Sequence, residues 1–324
     1  MEDRILKITV IGCGRWGSLI TWYLDRMDHD VILYGRESSA NMKQLLETRG
    51  NGLLTLSERV CLSTTLDCTK EAEVIVISVN AQGLRALMER DLAPLGLQNK
   101  IFVLCMKGIE ADTGKRLSEI VAETSDLTCR VAVWLGPGHV QEFYAGIPNC
   151  MVIDSADEAV KQKLVEEFSG DLIRFYYGQD LIGNEIGGAS KNVIGIAAGF
   201  LDGLGLSTLK GALMSRGTRE IARLIEAMGG NPVSAYGLCH LGDYEATVFS
   251  KFSHNRQFGE DFVSGKAFGK LAEGYETVRA LKLLAEQLLV DLPICRAVYS
   301  VLYEKKDAKE ELEQLFTRSL KKEF

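Results

Sequence analysis

The chain has 324 residues and a mass of 35.7 kDa, more than one hydrophobic core usually holds, so we expect two domains. Hydrophobic residues make up 46% of the sequence and charged residues 25%, a composition that excludes a disordered or fibrous protein. Lysine and arginine number 37 against 44 acidic residues, and the net charge of −7 disfavours nucleic acid as a partner.

The sequence carries no signal for membrane insertion or secretion. Its longest apolar run, 193–201, includes two glycines and is far shorter than the ~18 residues of a membrane-spanning helix. The N-terminal residues MEDRILKITVIG combine early charges with a strand-like run, so we expect a cytoplasmic protein. The eight cysteines lack any Cys-x-x-Cys pair and lie mostly in apolar stretches, which indicates reduced core residues.

Short runs rich in valine and isoleucine recur in the first half of the chain and alternate with segments of helical spacing. The runs are ILKITVIG, DVILYG, EVIVISV, KIFVLCM, RVAVWLG, CMVIDS and LIRFYY. They are apolar on both faces, as strands must be in a parallel sheet that helices cover on each side. This half therefore predicts a doubly wound α/β domain, 1–180.

The β-branched runs end at Tyr177, and the pattern beyond it is helical. The stretches 209–228 and 268–289 place apolar residues three and four positions apart, as amphipathic helices do. The segment GQDLIG interrupts both patterns, so we place the boundary there and predict an all-helical second domain, 181–324.

The sequence GCGRWG follows the first predicted strand directly and precedes the helical segment LITWYLDRM. In such a turn Gly12 permits the tight bend, Gly14 lets the backbone approach a pyrophosphate, and Gly17 lets helix and strand pack closely. The following helix N-terminus adds free N–H groups and a partial positive charge. A glycine turn can be purely structural, but its place in the first βα unit favours dinucleotide binding.

The end of the second predicted strand bears on the choice of cofactor. Where NAD-binding proteins often carry an acid for the ribose 2′-OH, this chain has Tyr34 or Gly35, followed by Arg36. An arginine can pair with the 2′-phosphate of NADP, so the sequence favours NADPH and leaves NAD open. The alternative is that Arg36 is a solvated loop residue, and Glu37 lies beside it.

Polar residues elsewhere suggest chemistry without naming it. Lys107 follows the strand IFVLC, and WLGPGH ends another strand in a glycine turn, although a surface lysine and a simple turn explain these almost as well. Lys191 lies among small and apolar residues in GGASKNVIGIAAG. A helix that begins with Gly-Gly-Ala-Ser can lie close to another backbone, and a poorly solvated lysine suits proton transfer. The alternative is a lysine whose stem packs and whose ammonium reaches water.

Six segments in this order resemble the NAD(P)-dependent glycerol-3-phosphate dehydrogenases, over about residues 8–276. They are GCGRWG, LCMKGIEADTGKRLSEI, WLGPGHVQEFYAGIPN, NEIGGASKNVIGIAAGFLDGLG, MSRGTREIARLIEAMGG and GLCHLGDYEATVFSKFSHNRQFG. The resemblance implies a Rossmann domain joined to an all-helical substrate domain, with a site in the cleft between them. It also implies the reversible reduction of dihydroxyacetone phosphate to sn-glycerol 3-phosphate, for phospholipid synthesis.

The resemblance also implies roles for individual residues. Lys191 would protonate the developing oxyanion, Asp243 would orient Lys191, and Lys107 would add positive field around the substrate. The implied substrate-binding residues are Lys107, Gly136, Lys191, Asn192, Asp243, Thr247, Ser253, His254 and Asn255. The implied cofactor-binding residues are Gly12, Gly14, Arg15, Trp16, Gly17, Arg36, Lys107, Val140, His254 and Glu273.

Three positions depart from the family pattern. His254 stands where the family has arginine, Gly138 where it has serine or threonine, and His240 where it has glycine. A histidine is mostly neutral at pH 7, so phosphate affinity should fall roughly 10- to 100-fold unless Arg256 or another cation compensates. A metal shared by His139, His240 and His254 is not expected, because their spacing is irregular and no acidic or thiolate ligands accompany them.

Two other functions stay open at this point. One keeps the fold and the chemistry of Lys191 and Asp243 but acts on another small hydroxy or keto compound, because the phosphate side is altered. The other is a non-catalytic nucleotide-binding sensor, which the intact Lys107, Lys191 and Asp243 disfavour. A homodimer also remains open.

Overall fold

The computed structural model describes residues 5–319, and these form two compact units. The first unit contains the described residues up to Lys107 together with Lys115–Glu185. The second contains Gly108–Gly114 and the described residues from Ile186 onward. No pattern in the sequence indicated that the short segment after Lys107 would group with the helical unit.

The first unit is built on an eight-stranded sheet. Its strands are β1 (Lys7–Ile11), β2 (Asp30–Tyr34), β3 (Cys61–Ser63), β4 (Val74–Ile77), β5 (Ile101–Leu104), β6 (Arg130–Leu135), β7 (Asn149–Ser155) and β8 (Ile173–Tyr177). Their order is β3-β2-β1-β4-β5-β6-β7-β8, and all neighbours are parallel except β6 and β7. The sheet confirms the predicted doubly wound α/β class. The sequence did not indicate the direction of the last two strands, since β7 and β8 are parallel to each other but run against the other six strands.

Helices and short turns connect these strands. The α-helices that lie wholly in this unit are α1 (Arg15–Arg26), α2 (Ala40–Thr48), α3 (Leu84–Ala86), α4 (Leu117–Thr124), α5 (Val140–Tyr144) and α6 (Glu158–Phe168). Short 3₁₀ or π turns lie at Leu66–Thr69, Ala81–Gly83, Leu87–Leu92 and Ala93–Leu95. The buried Trp134 of β6 makes edge-on ring contacts with Tyr23 of α1 and Phe175 of β8, so helix and sheet share one apolar core.

Parallel pairing places the loops of interest along one edge of this sheet. Ile77 of β4, for example, lies opposite Leu104 of β5 in the strand register. The residues that follow β1, β5 and β6 include Gly12, Lys107 and Gly136, and all three therefore emerge at the carboxyl edge, where sheets of this class bind ligands.

The second unit is helical, as predicted, and contains no strand among its described residues. Its α-helices are α7 (Leu181–Gly203), which starts in the first unit, α8 (Lys210–Ala227), α9 (His254–Val263), α10 (Gly274–Gln287), α11 (Pro293–Tyr303) and α12 (Ala308–Phe316). Short 3₁₀ or π turns lie at Ser207–Leu209, Pro232–Tyr236, Leu241–Asp243 and Glu245–Phe249.

The long helix α7 is the centre of the second unit. Every residue of α7 from Glu185 to Leu201 is buried, which its small and apolar sequence permits. The Gly-Gly-Ala-Ser segment therefore lies inside α7 and does not begin it. The two units divide between Glu185 and Ile186, within this same helix.

Candidate active site

The glycine turn follows β1 and is shaped by two close backbone contacts. Gly12 has a φ of 113°, and a Cβ there would lie 2.2 Å from the carbonyl oxygen of Ser78. A Cβ on Gly17 would lie 1.9 Å from the carbonyl oxygen of Gly12. Close packing inside the first unit therefore requires glycine at both positions.

Gly14 is different, because nothing in the described structure crowds it. A Cβ on Gly14 would meet no described atom within 4 Å, and Gly14 is the N-cap of α1 without a side-chain capping bond. The first turn of α1 carries no acidic residue that would offset the positive end of the helix dipole. This open, electropositive backbone fits the pyrophosphate of a dinucleotide.

The predicted cofactor residues beside this turn lie where α1 and α5 pack together. Arg15 Nη2 donates to Gln141 Oε1 at 3.1 Å, and the ring of Trp16 lies 6.0 Å from that of Phe143. Val140 is buried at the start of α5. These contacts hold the first turn of α1 in place.

Gly35, one of the two candidate ribose positions at the end of β2, is closely packed, and Tyr34 is the other. A Cβ on Gly35 would lie 2.5 Å from Cys13 Sγ, so this position has no room for a carboxylate side chain. Arg36 follows it and is exposed, as is Glu37. Arg36 is therefore the first charged side chain after the strand.

Lys107 and Gly136 meet at the carboxyl edge of the sheet. Lys107 Nζ donates to the carbonyl oxygen of Gly136 at 2.6 Å. Gly136 has a φ of 137°, and a Cβ there would lie 2.9 Å from the Cα of Met151. The strained turn thus orients a carbonyl that holds the half-buried ammonium of Lys107.

The second unit gathers Lys191, Asp243 and Thr247 into one hydrogen-bonded cluster. Lys191 Nζ lies 2.9 Å from Asp243 Oδ2 and donates to Thr247 Oγ1 at 2.7 Å. Thr247 Oγ1 donates in turn to the carbonyl oxygen of Asp243 at 2.7 Å. The side chain of Lys191 is 9% exposed and that of Asp243 is 1% exposed. The cluster therefore presents a proton donor in a poorly hydrated site.

A second cluster joins the predicted amide residues. Asn255 Nδ2 donates to Asn192 Oδ1 at 3.0 Å, and Asn255 Oδ1 accepts the N–H of Gly274 at 2.9 Å. Glu273 is the N-cap of α10, immediately before Gly274, and Ser253 is the N-cap of α9, which carries Asn255. The sequence-predicted residues of α7, α9 and α10 are thus linked within the second unit.

Glycines of α7 bring both clusters to this helix. A Cβ on Gly195 would lie 2.7 Å from Thr247 Cγ2 and 3.3 Å from Asn255 Cβ. A Cβ on Gly199 would lie 2.0 Å from the carbonyl oxygen of Arg256 in α9. The four-residue spacing of these glycines, visible in the sequence, is the signal for such close helix packing.

Known proteins are similar to this chain over nearly its whole length. Two family models match, the N-terminus of NAD-dependent glycerol-3-phosphate dehydrogenase at residues 7–161 and its C-terminus at residues 180–313. The chain belongs to this family. Glycerol-3-phosphate dehydrogenase (NAD(P)+) of Pelodictyon phaeoclathratiforme is 35% identical over 98% of this chain and 99% of its own, and that of Thermoanaerobacter sp. is 33% identical over the same shares. The crystal structure of glycerol-3-phosphate dehydrogenase from Coxiella burnetii superposes with a TM-score of 0.91 at 27% identity, covering 97% of this chain and 99% of that one. The predicted resemblance is confirmed.

One departure from the glycerol-3-phosphate dehydrogenase pattern has a backbone cause. Gly138 has a φ of 139°, and a Cβ there would lie 2.2 Å from Cε2 of the buried Phe143. Serine or threonine at this position would require a different backbone conformation and a displaced Phe143. Glycine at position 138 is therefore required by the backbone of this turn and by the position of Phe143.

The second departure that the sequence predicted is His254, which would replace a permanent cation. His254 is the first residue of α9, and its ring lies 6.3 Å from that of Phe268. Arg256, the nearest candidate to compensate, donates to Asp202 Oδ2 at 2.8 Å and to Glu260 Oε2 at 2.7 Å. Because two carboxylates already hold this guanidinium, it is a poor substitute for the family arginine.

Several supporting residues were not indicated by any motif. Asp202 accepts from Lys210 at 2.7 Å as well as from Arg256, and so ties α7 to α8 and α9. In the first unit, Glu185 Oε2 accepts from Arg116 Nη1 at 2.7 Å across 69 positions of sequence. Burial raises the pKa of the Glu185 carboxyl above its ordinary value. Only tertiary proximity reveals such pairs.

The second unit also contains a cavity of about 850 Å³ that shares no residue with the predicted site. Leucine, valine and alanine side chains supply most of its lining. Its lining also includes four arginines and four acids: Arg216, Arg219, Arg223, Arg318, Glu220, Glu226, Asp291 and Glu311. A mainly apolar cavity suits a phosphate dianion poorly, so we do not assign it to the substrate.

Residues 5–319 include no helix that is long and apolar enough to cross a membrane. Within the same range, no three or more His, Cys, Asp or Glu side chains group as metal ligands would. All eight cysteines fall in this range and carry free thiols. Cys13, Cys105, Cys239 and Cys295 are buried whereas Cys61 is exposed, so the description as core residues holds for only part of the set.

Proposed function

We propose that this chain reduces dihydroxyacetone phosphate reversibly to sn-glycerol 3-phosphate with a nicotinamide dinucleotide, preferentially NADPH. The observation that carries the proposal is the buried contact of 2.9 Å between Lys191 Nζ and Asp243 Oδ2, supported by Thr247. The names of its relatives and the open backbone at Gly14 support the same reaction. In this proposal residues 1–180 bind the dinucleotide and residues 181–324 bind the substrate.

A nicotinamide dinucleotide held at the glycine turn would supply the hydride that reduces the ketone carbon. As negative charge grows on the ketone oxygen, Lys191 donates a proton to it from Nζ. Asp243 keeps Nζ in position through the ion pair. The hydroxyl of Thr247 accepts a hydrogen bond from the same ammonium and so helps to orient it. General acid catalysis of this kind typically contributes ~10²–10⁴-fold to the rate.

The remaining predicted residues would bind and orient the substrate. Asn192, which follows Lys191 in sequence, already forms a hydrogen-bonded pair of amides with Asn255. Ser253 and His254 at the start of α9 would contact the phosphate, and Lys107 would add positive field. These assignments rest on the family resemblance together with the contacts of each residue.

The NADPH preference rests on Arg36. This exposed guanidinium follows β2 where Gly35 leaves no room for an acid, so a 2′-phosphate would meet a cation and no opposing carboxylate from that position. Arg36→Ala should reduce the ratio of kcat/KM for NADPH over NADH by about tenfold. An unchanged ratio would remove Arg36 from cofactor selection.

The decisive experiment is nucleotide oxidation with dihydroxyacetone phosphate. Purified protein should oxidise NADPH, and NADH more slowly, only when the phosphorylated ketone is present. Dihydroxyacetone and 2-keto acids serve as matched substrates without the phosphate. Absence of oxidation with either nucleotide would reject the proposed reaction.

A second enzymatic function is favoured by the altered phosphate side, where His254 replaces an arginine and Arg256 is held by Asp202 and Glu260. It keeps the Lys191 chemistry but takes another small hydroxy or keto compound. A higher kcat/KM for an unphosphorylated ketone would support it. A non-catalytic nucleotide sensor would bind NADPH without turnover, and the buried ion pair of Lys191 and Asp243 weighs against it.

The family membership also leads us to propose a cytoplasmic enzyme of phospholipid synthesis that forms a homodimer. Sedimentation of the purified protein at micromolar concentration tests the assembly. A mass of about 36 kDa, that of one chain of 35.7 kDa, would contradict the homodimer.

A further inference from the structure

His240, which stands where the family pattern has glycine, lies fully buried next to the Lys191 cluster. It directly precedes the 3₁₀ turn Leu241–Asp243, and its side chain has no exposed surface. Its Nδ1 lies 2.9 Å from the carbonyl oxygen of Gly187 in α7, and its Nε2 lies 2.7 Å from the hydroxyl of Tyr244. Both ring nitrogens are therefore engaged.

The partners fix the tautomer of the neutral ring. A carbonyl oxygen only accepts, so Nδ1 carries the hydrogen and donates to Gly187, while Nε2 accepts from the Tyr244 hydroxyl. Burial lowers the pKa of His240 to about 4, and burial raises the pKa of Tyr244 above its ordinary value. At neutral pH the ring is uncharged and both hydrogen bonds keep these directions.

These bonds join the two segments that carry the ion pair. In an α-helix the N–H of Lys191 donates to the carbonyl of Gly187, so His240 binds the very peptide group that anchors Lys191. On the other side His240 is three residues before Asp243. A Cβ on Gly187 would lie 3.0 Å from the Cβ of His240, so glycine permits this approach.

The helix needs such support at this point. Gly187 and Gly188 are adjacent in the interior of α7, where glycine weakens a helix because it gains freedom in competing conformations. A second hydrogen bond to the Gly187 carbonyl restrains this turn, and Lys191 lies one turn further along.

We propose that His240 is a positioning residue, which holds the Gly187 turn of α7 and the Asp243 turn at a fixed spacing so that Lys191 Nζ stays on Asp243. It touches neither substrate nor cofactor in this role. The inference depends on one part of the proposed function, namely that Lys191 is the proton donor.

Two substitutions separate the hydrogen bond from the packing of the ring. His240→Asn keeps a donor near the position of Nδ1, whereas His240→Leu fills the volume without a donor. We expect H240L to lower kcat about tenfold with an unchanged KM for the nucleotide, and H240N to retain at least half of the wild-type kcat. If H240L matches wild type, or H240N is as impaired as H240L, the positioning role is refuted.

A matched control comes from the first unit. His29 is also buried. Its Nδ1 lies 3.4 Å from the amide nitrogen of Leu6, and its Nε2 lies 3.2 Å from the carbonyl oxygen of Glu167. His29→Leu should lower thermal stability but leave kcat within about twofold. An equal loss of kcat in H29L would mean that general destabilisation explains both variants.

Hydrogen exchange supplies a readout that does not depend on turnover. Amides 187–192 should exchange about tenfold faster in H240L than in H240N or wild type. Unchanged exchange in H240L would show that His240 does not restrain the Gly187 turn. Faster exchange with a normal kcat would show that this restraint does not affect Lys191. If wild type shows no activity with dihydroxyacetone phosphate but exchange follows the expected pattern, the proposed function fails, whereas the restraint of the Gly187 turn by His240 is supported.

Discussion

At the scale of single residues, this protein buries several charges and pairs each with a specific partner. Lys191 and Asp243 form one such pair, and Lys210 with Asp202 forms another. Asp243 and Asp202 each neutralise a buried ammonium, so removing either carboxylate should lower stability. Function separates the two pairs, because only the first includes residues that the family pattern assigns to chemistry.

Lys191→Ala should lower kcat by roughly 10²–10⁴-fold and leave the Kd for NADPH nearly unchanged, since Lys191 acts on the developing oxyanion. Steady-state kinetics and fluorescence titration of NADPH measure the two effects. Lys161→Ala is the control, because Lys161 is 7% exposed and pairs with Glu158 at 2.7 Å, far from any predicted site residue in sequence. Full activity in K191A would remove Lys191 from the mechanism.

His254→Arg should lower KM for dihydroxyacetone phosphate by about 10-fold, because a guanidinium binds phosphate with a permanent charge that a neutral imidazole lacks. KM for unphosphorylated dihydroxyacetone should not change, which makes it the internal control. An unaltered KM for the phosphorylated substrate would indicate that another group already binds the phosphate.

At the scale of elements, the βα turn shows how one motif combines folding and binding requirements. Gly12 and Gly17 are needed because backbone atoms crowd them, whereas Gly14 faces open space. Replacing a glycine by a larger residue should therefore affect packing at Gly12 and Gly17 but not at Gly14, although all three lie within six residues.

Gly14→Ala should retain the wild-type melting temperature but lose most of its affinity for NADPH, because a methyl group would intrude where the pyrophosphate approaches the backbone. Gly17→Ala should instead lower the melting temperature itself, since its Cβ would collide with the Gly12 carbonyl. Thermal unfolding with and without NADPH measures both. Equal stabilisation of G14A and wild type by NADPH would argue against this site.

The start of α11 supplies a prediction about pH. Glu220 is buried and accepts the N–H groups of Ile294 and Cys295 at 2.8 Å each, yet burial outweighs these bonds and raises the pKa of Glu220 from 4.5 to about 7. The unfolded chain releases this proton at lower pH than the folded chain does. This group therefore makes folding less favourable as pH rises from about 4.5 to about 7, by on the order of 3 kcal/mol at most.

Glu220→Gln cannot ionise and should lack this contribution. Relative to wild type, E220Q should gain stability between pH 5 and pH 8, as measured by melting temperature at each pH. A constant difference between the two proteins across that range would show that Glu220 does not titrate there.

At the scale of the whole molecule, the described residues form two compact units, and the reactivity of each cysteine thiol should follow its burial. Of the eight free thiols, Cys61 is exposed, and burial raises the pKa of Cys105 and Cys295 above their ordinary values. A thiol reacts as its thiolate, so buried thiols are slow.

Native protein should therefore react quickly with Ellman's reagent at Cys61 and slowly at the four buried thiols, while protein in guanidinium should react at all eight. Cys61→Ser should abolish the fast phase. A fast phase in that variant equal to that of wild type would contradict the described burial.

The sequence alone predicted the fold class, which the structure confirms, and it named candidate site residues, which stay predictions. Apolar β-branched runs and three- and four-residue helical spacing depend on local chemistry, and so do the glycines after β1. It did not indicate β3, because the three residues Cys61–Ser63 are too few to show a strand pattern. Nor did it indicate the reversed direction of β7 and β8, which depends on how β7 pairs with β6 in the sheet.

Only the tertiary structure decided which partners each side chain has. Asp243 is 52 positions from Lys191, and no local pattern states that their atoms lie 2.9 Å apart or that His240 binds the helix that carries the lysine. The same holds for Arg256, whose carboxylate partners turned a candidate phosphate ligand into a structural tie. Local patterns record which surfaces a segment must bury, but hydrogen bonds between distant side chains depend on how those surfaces pack.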